Sequence, residues 1–527
     1  MSRDQPCLLA LLPPPSPPRC SLHAVQPQRE PAVTDVVQEE APRSPETQGK
    51  DGEEEQETGA QRGALGWLRL DGVAVDILSI AVPAVLALAA DPITTLVDTA
   101  FVGHIGSAQL AAVGASASVF NLVSKLFNVP LLNVTTSFVA EQQAVVDDSS
   151  NSIGQRDDFL MPQKKASQQR KILPAVSTSL ALAAGIGLLE MAALVVGSGT
   201  LMDIIGIPVD SPMRAPAEQF LTLRAYGAPP IIVALAAQGA FRGFLDTKTP
   251  LYAVGAGNLL NAILDAVLIF PLGLGVSGAA LATVSSEYLT ALILLWKLNN
   301  EVDLFSWNII GDGIIHYLKS GGLLIGRTIA VLLTMTLSTS LAAREGPVPM
   351  AAYEICLQVW LTISLLNDAL ALAGQALLAS EYAKRNYKQA RMVLYRVLQV
   401  GGVTGVALAA TLFIGFGSLS LLFTDDPAVL DIAQSGVWFV TISQPVNAIA
   451  FVADGLYYGV SDFAYAAYST LFASAISSVF LLIAAPKFGL GGIWAGLALF
   501  MSLRAVACLW RLGSKGGPWE IIWSESE

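Results

Sequence analysis

Charged residues are scarce in this 527-residue chain: Asp, Glu, Lys and Arg together make up 14% of it. A soluble globular protein carries roughly 25%. Hydrophobic residues make up 53%. This shortage of charge predicts a polytopic membrane protein and not a string of soluble domains. The net charge is −12 and no long basic run is present, so the composition also excludes a nucleic-acid-binding protein.

Cysteine and histidine are equally sparse. Cys7 and Cys20 lie in a polar segment, whereas Cys356 and Cys508 lie in apolar runs without framework spacing, which argues against a disulfide-stapled secreted domain. The three histidines are too scattered for a metal site. The sequence contains no nucleophile elbow, Walker A loop or dinucleotide fingerprint. We therefore expect neither an enzyme nor a resident cofactor.

The N-terminal segment, 1–73, differs in composition from the rest of the chain. Residues 30–58 hold ten acidic and two basic residues, which is too charged for a packed core and predicts a disordered tail over residues 1–73. Residues 1–29 are rich in Pro, Ser and Arg, with Asp4 as their only acid. That composition is typical of a plastid transit peptide, although an ordinary proline-rich tail fits equally well.

Apolar stretches of about twenty residues recur from Ala74 onward, as bilayer-crossing helices require. They predict twelve spans: 74–97, 108–130, 174–197, 223–241, 250–271, 276–296, 318–342, 350–378, 393–416, 429–457, 463–485 and 490–510. The predicted fold is an all-α polytopic membrane protein with two six-helix lobes. The boundaries are an N-lobe at 74–298 with a polar loop at 147–171, a linker at 299–315, a C-lobe at 316–512 and a C-terminal tail at 513–527.

The loops are asymmetric in charge. Eighteen Lys and Arg residues fall on the side of the chain termini and four on the opposite side. The positive-inside rule therefore places both termini in the cytosol, or in the stroma of a plastid.

The two predicted lobes also resemble each other. Phe120 is separated from Trp360 by the same interval that separates Glu141 from Glu381. Further pairs share a second constant interval, which is slightly shorter: Pro229 with Pro445, Gly239 with Gly455, Gly243 with Gly459, Asp246 with Asp462, and Gly273 with Gly489. Two parallel six-helix repeats are typical of transporters, whose substrate sites lie between the repeats.

Ionisable groups inside the spans are candidates for function, because each costs about 2.5–3.5 kcal/mol to insert. The first span holds Pro83, Asp91, Pro92 and Asp98. Its prolines free backbone carbonyls and predict a hinge, and Asp98 fits either a binding role or a helix-end cap. In the fifth span, Asn261 and Asp265 share one face with Asn258, and this stripe fits either a site or helix–helix hydrogen bonding.

The second half offers Glu354, Asp368 and Asp454 as embedded acids, and Arg327 and Arg504 as embedded cations. Each cation fits either an anionic substrate or a nearby carboxylate, and pairing is the expected role of Arg504. Since Arg327 is placed early in the seventh span, it is also expected to reach toward the interface.

Several motifs resemble the multidrug and toxic compound extrusion (MATE) transporters over about residues 74–515. They are Asp91-Pro-Ile-Thr-Thr-Leu-Val-Asp98-Thr-Ala-Phe-Val-Gly103, Gln238-Gly-Ala-Phe-Arg-Gly243 and Gln375-Ala-Leu-Leu-Ala. Val134-Thr-Thr-Ser-Phe-Val-Ala-Glu141 resembles the plant DETOXIFICATION branch that includes citrate exporters. Asp454-Gly-Leu-Tyr-Tyr-Gly-Val-Ser-Asp-Phe463 is similar to a plastid-targeted member of that branch, which favours the transit peptide.

The resemblance implies two lobes and alternating access driven by a proton or sodium gradient. It implies an N-lobe coupling site at Asp98, Asn261, Asp265 and Thr283, with Pro83 as the kinking proline. Another branch of the family couples through a glutamate on the seventh helix and an aspartate on the tenth. Asp454 matches that aspartate, but the seventh helix carries Arg327 and no glutamate, so Asp454 is a secondary candidate.

These observations lead to one functional hypothesis with alternatives. We expect a monomeric antiporter in a lipid bilayer that exports a small organic anion such as citrate. The excess of embedded acids would instead suit organic cations and xenobiotic efflux, and a lipid flippase is a further alternative. The expected location is the plastid envelope of the chloroplast, with the plasma membrane as the alternative.

Overall fold

The computed structural model describes residues 72–157, 173–205, 207–304, 310–421, 423–424 and 426–524. The predicted transit peptide, most of the polar loop at 147–171 and the middle of the linker at 299–315 lie outside these ranges. The described residues form one compact unit.

Helices account for almost all of the described residues. In the first half they are α1 Gly72–Gly103, α2 Ser107–Asp157, α3 Pro174–Ile204, α4 Arg214–Ala225, α5 Ala228–Gly243, α6 Lys248–Ile269 and α7 Gly275–Glu301. In the second half they are α8 Ile310–Arg344, α9 Pro347–Ala383, α10 Tyr387–Ser420, α11 Pro427–Gly459, α12 Phe463–Phe488, α13 Leu490–Ser514 and α14 Pro518–Ser524.

The number of spans agrees with the expectation of twelve. Eleven described helices are long and apolar enough to cross a membrane, and α4 with α5 forms a twelfth span that is bent by 45°. The sequence placed the start of this fourth span at residue 223, but α4 begins at Arg214. The charged side chains of α4 concealed it, since a hydropathy window reads charges as a loop.

Two further boundaries differ from the sequence prediction. Helix α2 continues to Asp157, well into the predicted polar loop. The predicted tail at 513–527 contains α14, whose Trp519 is fully buried and donates from Nε1 to Asp462 Oδ2 (3.3 Å). Arg511 Nε donates to the same oxygen (2.9 Å). A buried indole anchored to an ion pair ties this end of the chain to the C-lobe.

The duplication is visible in the backbone. Leu245 and Ser461, which are separated by the second interval of the repeat, both adopt positive φ (62° and 56°), which non-glycine residues rarely do. Gly273 and Gly489, at the same interval, repeat the pattern with φ of 66° and 56°. Equivalent turns therefore connect equivalent helices in the two lobes.

The paired glycines mark equivalent helix crossings. A Cβ on Gly239 would meet Leu132 O of α2 at 2.9 Å, and a Cβ on Gly455 would overlap the backbone of Ala371 in α9. Only hydrogen at these positions lets α5 approach α2, and α11 approach α9, so closely. The pairing therefore has a packing reason, which supports the fold of two similar six-helix lobes.

The lobes meet at one end of the bundle, which we call the closed end and define by the start of α1. Gln375 Nε2 of α9 donates to Asn133 O and Ser137 Oγ of α2, both at 2.8 Å. Ser137 Oγ in turn donates to Tyr458 O (2.8 Å). Toward the opposite end, α1 has no buried residue between Ala84 and Val102. The hydrogen bonds of Gln375 and Ser137 therefore join the two halves of the chain at the closed end.

Candidate functional site

A buried polar stripe on α6 forms the centre of the N-lobe. Gly257, Asn261 and Asp265 recur every fourth residue and are buried, with Asn261 and Asp265 at 0% exposure. A Cβ on Gly257 would overlap Thr290 Oγ1 of α7, so the glycine allows α7 to pack closely here. The stripe therefore faces α1 and α7 and not lipid, as polar groups in a membrane helix require.

The structure brings the four predicted coupling residues together. With the Asn261 amide oriented to satisfy both of its ends, its nitrogen donates to Asp98 Oδ1 (2.9 Å) and its oxygen accepts from the Thr283 backbone N–H (3.3 Å). The Thr283 hydroxyl donates to Ala279 O (2.9 Å). Residues from α1, α6 and α7 therefore converge on one point, although Asp98 and Thr283 lie far apart in the sequence.

Asp265 is the unusual member of this group. It is fully buried, and neither of its carboxyl oxygens has a hydrogen-bond donor. The neighbouring carboxyl group of Asp98 lies within hydrogen-bonding reach. Two carboxyl groups can bond to each other only when one carries a proton, and two ionised ones would repel. A proton or a small cation between the two carboxyl groups would supply the missing partner of the Asp265 oxygens and remove the repulsion.

A second layer of charges adjoins this pair, and of its members only Asp91 was among the residues predicted from the sequence. Arg224 of α4 makes a bidentate ion pair with Glu287 of α7, with contacts of 2.5 and 2.6 Å. Glu190 of α3 is 3% exposed, accepts a hydrogen bond from Ser124 and leaves Oε2 without a donor. Asp91 interacts electrostatically with Glu287. Glu190 and Glu287 lie inside predicted spans, so the rule that selected Asp265 would have selected them too.

The predicted hinge lies in a continuous helix. Helix α1 runs through Pro83 and Pro92 without interruption, and each proline removes one backbone hydrogen bond. The Thr247 hydroxyl, which precedes α6, donates to Ile80 O (3.0 Å), one turn before Pro83. The weakened part of α1 is therefore attached to the helix that carries Asp265.

The C-lobe contains a different cluster. Asp454 of α11 accepts hydrogen bonds on Oδ2 from Arg327 of α8 and Arg504 of α13, the latter at 2.5 Å. Pairing was the expected role of Arg504. Arg327 does not reach to an interface, because it is 9% exposed and paired. Asp368 of α9 is exposed and interacts electrostatically with both arginines.

The remaining candidate of the second half lies apart from this cluster. Glu354 accepts a hydrogen bond from Gln358, one turn along its own helix (2.7 Å). It lies about four turns before Asp368, which is about 21 Å along the axis of α9. The described residues contain no group of three or more His, Cys, Asp or Glu side chains able to hold a metal ion.

Comparisons with known proteins agree with this architecture. The MatE family model matches residues 164–267 and 324–483. Protein DETOXIFICATION 44, chloroplastic, from Arabidopsis thaliana is 65% identical over 456 residues, covering 86% of this chain and 85% of that protein. Protein DETOXIFICATION 45, chloroplastic, from the same plant is 47% identical, covering 84% of this chain and 79% of that protein.

A solved structure shows the same fold. The crystal structure of MATE in the bent conformation superposes with a TM-score of 0.74 at 19% identity, over 86% of this chain and 97% of that chain. The chloroplastic relatives confirm the expected location of a multi-pass protein in a chloroplast membrane. The chain is a transporter and not an enzyme, and it belongs to the MATE family of multidrug and toxic compound efflux proteins.

Proposed function

We propose that the protein is a monomeric, ion-coupled antiporter that exports a small organic anion such as citrate. In this proposal Asp98, Asn261, Asp265 and Thr283 bind the coupling proton or sodium ion. The observation that carries it is the pair of facing carboxyl groups in which Asp265 lacks any hydrogen-bond donor. A fully buried carboxyl group without a hydrogen-bond donor is costly, so its presence points to a proton or cation that binds and is released.

The geometry suggests how ion binding moves the lobe. When the proton or cation leaves, Asp98 and Asp265 repel, which pushes α1 away from α6. Helix α1 can yield near Pro83, where a backbone hydrogen bond is missing. Movement there also disturbs the closed end, because the buried inner part of α1 packs in the core that includes Ala373 and Val397 of the C-lobe. Ion binding in one lobe thereby changes access between both lobes.

The preference for an anion rests on the C-lobe. Arg327 and Arg504 share one carboxylate oxygen of Asp454, and each keeps a buried Nε–H group without an acceptor, so the pair has donors left for a carboxylate. Arginine is well suited to planar anions of this kind.

Flux in proteoliposomes tests the proposal. Vesicles under an imposed pH or sodium gradient should move citrate with the wild-type protein and not with Asp265→Asn. Asp210→Asn is the matched control, since Asp210 is exposed in a loop. Gradient-driven flux by Asp265→Asn at the wild-type rate would contradict the coupling assignment.

One observation favours a second candidate, the efflux of organic cations. Within the described part of the N-lobe, five carboxyl groups, of Asp91, Asp98, Glu190, Asp265 and Glu287, belong to an electrostatic network with one guanidinium group, of Arg224. Such an acidic lobe would attract a cationic drug. Vesicles that move a cationic dye under the gradient, and fail to move citrate, would establish this alternative.

A further inference from the structure

Two arginines of the C-lobe share one oxygen atom. Arg327 and Arg504 both donate to Oδ2 of Asp454. The side chains of Arg327, Arg504 and Asp454 are 11%, 7% and 13% exposed. The two guanidinium groups therefore share one carboxylate oxygen in a nearly dry environment, while the exposed carboxyl group of Asp368 interacts with both of them electrostatically.

The arginines also have donors that Asp454 does not satisfy. The Nε–H groups of Arg327 and Arg504 are buried without an acceptor. Arg504 Nη1 faces the thioether sulfur of Met501 at 3.1 Å, and such a sulfur is a weak acceptor. A buried donor without a partner costs about 1–3 kcal/mol. These two Nε–H groups are therefore donors that the described residues leave available to a ligand.

The cluster borders the space between the lobes. Asp368 is exposed and interacts electrostatically with Arg327, Arg504 and also Arg242 of α5 in the N-lobe. Since these partners come from both lobes, Asp368 must face the region where the lobes approach each other. A solute entering between the lobes can therefore reach Asp368, which lies beside the arginine pair.

Two other roles fit this geometry less well. Two neighbouring guanidinium groups repel a cation, so a cation site at Arg327 and Arg504 is electrostatically disfavoured. A coupling role for Asp454 lacks the feature found at Asp265, namely carboxyl oxygens without donors, because Asp454 already accepts from both arginines.

We propose that Arg327 and Arg504 bind a carboxylate group of the transported anion, and that Asp454 is an internal competitor which holds the arginines until the anion displaces it. The proposal rests on the proposed anion export and names its binding site. A planar carboxylate can use the donors that Asp454 leaves unpaired, including the Nε–H groups, in the bidentate manner typical of arginine. After the anion is released, Asp454 binds the arginines again, so the two guanidinium groups of the empty site keep a carboxylate partner.

Equilibrium binding of radiolabelled citrate to the purified full-length protein, without any gradient, tests this site. Asp454→Asn removes the competitor and should tighten citrate binding by about tenfold, equivalent to about 1.4 kcal/mol. Arg327→Gln and Arg504→Gln should each weaken it by at least about tenfold. Asp462→Asn is the matched control, because Asp462 also pairs with an arginine, Arg511, but at the closed end.

The result that overturns the proposal is citrate binding that Arg327→Gln and Arg504→Gln leave unchanged, or that Asp454→Asn weakens in a monodisperse protein. If Asp454→Asn does not fold, Arg327→Lys and Arg504→Lys decide the question. They keep the charge but lose the bidentate geometry, and wild-type affinity in both would contradict the site.

The binding assay separates this inference from the proposed antiport. Citrate binding that depends on the arginines, without gradient-driven flux, would support the site and refute the antiporter. Gradient-driven citrate flux that persists in Arg327→Gln and Arg504→Gln would support the antiporter and refute the site.

Discussion

The N-lobe and the C-lobe share a backbone plan but not a chemistry. The interval that separates Phe120 from Trp360 also separates Asp98 from Ser338, so Ser338 is the C-lobe equivalent of Asp98. The Ser338 hydroxyl forms a hydrogen bond with the Tyr353 hydroxyl (2.7 Å). At the position equivalent to Asp454, by the second interval of the repeat, the N-lobe has Gln238. The crossings and turns of the repeat are kept, whereas the buried charges are not. Duplication thus supplied one scaffold twice, and the two copies now hold carboxyl groups in one lobe and arginines in the other.

The largest effect is expected when Asp98 of the N-lobe is replaced by serine, the residue at the equivalent position of the C-lobe. Asp98→Ser removes one of the two facing carboxyl groups, so gradient-driven flux should fall by at least about tenfold, equivalent to about 1.4 kcal/mol in the activation free energy of transport. Flux in proteoliposomes measures it. Ser338→Ala is the control in the other lobe and should keep the wild-type flux. A gradient-driven flux in Asp98→Ser equal to that of the wild type would show that the N-lobe carboxyl pair is not required for ion coupling.

The reciprocal exchange gives the C-lobe the residue of the N-lobe. Asp454→Gln leaves two buried guanidinium groups without their carboxylate, which should lower the free energy of unfolding by about 3 kcal/mol. Thermal unfolding in detergent measures the loss, and Asp431→Gln, at an exposed position of α11, should be neutral. If citrate occupies the arginines, it should raise the unfolding temperature of Asp454→Gln more than that of the wild type. Equal unfolding temperatures of Asp454→Gln and the wild type would show that the carboxylate of Asp454 does not stabilise the two arginines.

The shared helix crossings can be tested by adding a methyl group in each lobe. Gly455→Ala should destabilise the protein by about 1–3 kcal/mol, because its Cβ would overlap the backbone of Ala371. Gly239→Ala should cost less, since its nearest contact is 2.9 Å. Gly415→Ala, with nothing within 4 Å, should be neutral or slightly stabilising. An unfolding temperature of Gly455→Ala at or above that of Gly415→Ala would contradict the close crossing.

The smallest expected effect concerns the contact between the lobes. Gln375→Leu removes the donors to Asn133 and Ser137, and a hydrogen bond contributes about 1 kcal/mol. The closed end should therefore open in a larger fraction of molecules, by roughly fivefold to tenfold. Distances between spin labels at Lys248 and Lys388, both exposed, would report the shift. Identical distance distributions for Gln375→Leu and the wild type would exclude this hydrogen bond as a closing contact.

The fold could be predicted from the sequence because a bilayer leaves the chain few choices. A backbone in lipid must satisfy its hydrogen bonds within a helix, so apolar runs of about twenty residues locate the spans. The fourth span was placed less well. Arg214 and Glu218 lower the hydropathy of the first part of α4, so the predicted span began at residue 223 and not at Arg214.

The candidate site was predicted in part. Asn261 and Asp265 are one turn apart, so the helical period alone places them on one face. The resemblance to the MATE family then connected them with Asp98 and Thr283. The arginine cluster was not predicted, because Arg327 and Arg504 lie far apart in the sequence and only the packing of α8, α11 and α13 brings both to Asp454.

The sequence by itself determined the membrane class, the spans, the duplication and the stripe on α6, since hydrophobic length, residue offsets and helical period are local properties. The tertiary structure decided which charges are neighbours. It placed Asp265 against Asp98 without a donor, paired Arg224 with Glu287, and gave Asp454 two arginines. The physical reason is that the strength of a buried charge interaction depends on distance and environment, and helix packing sets both.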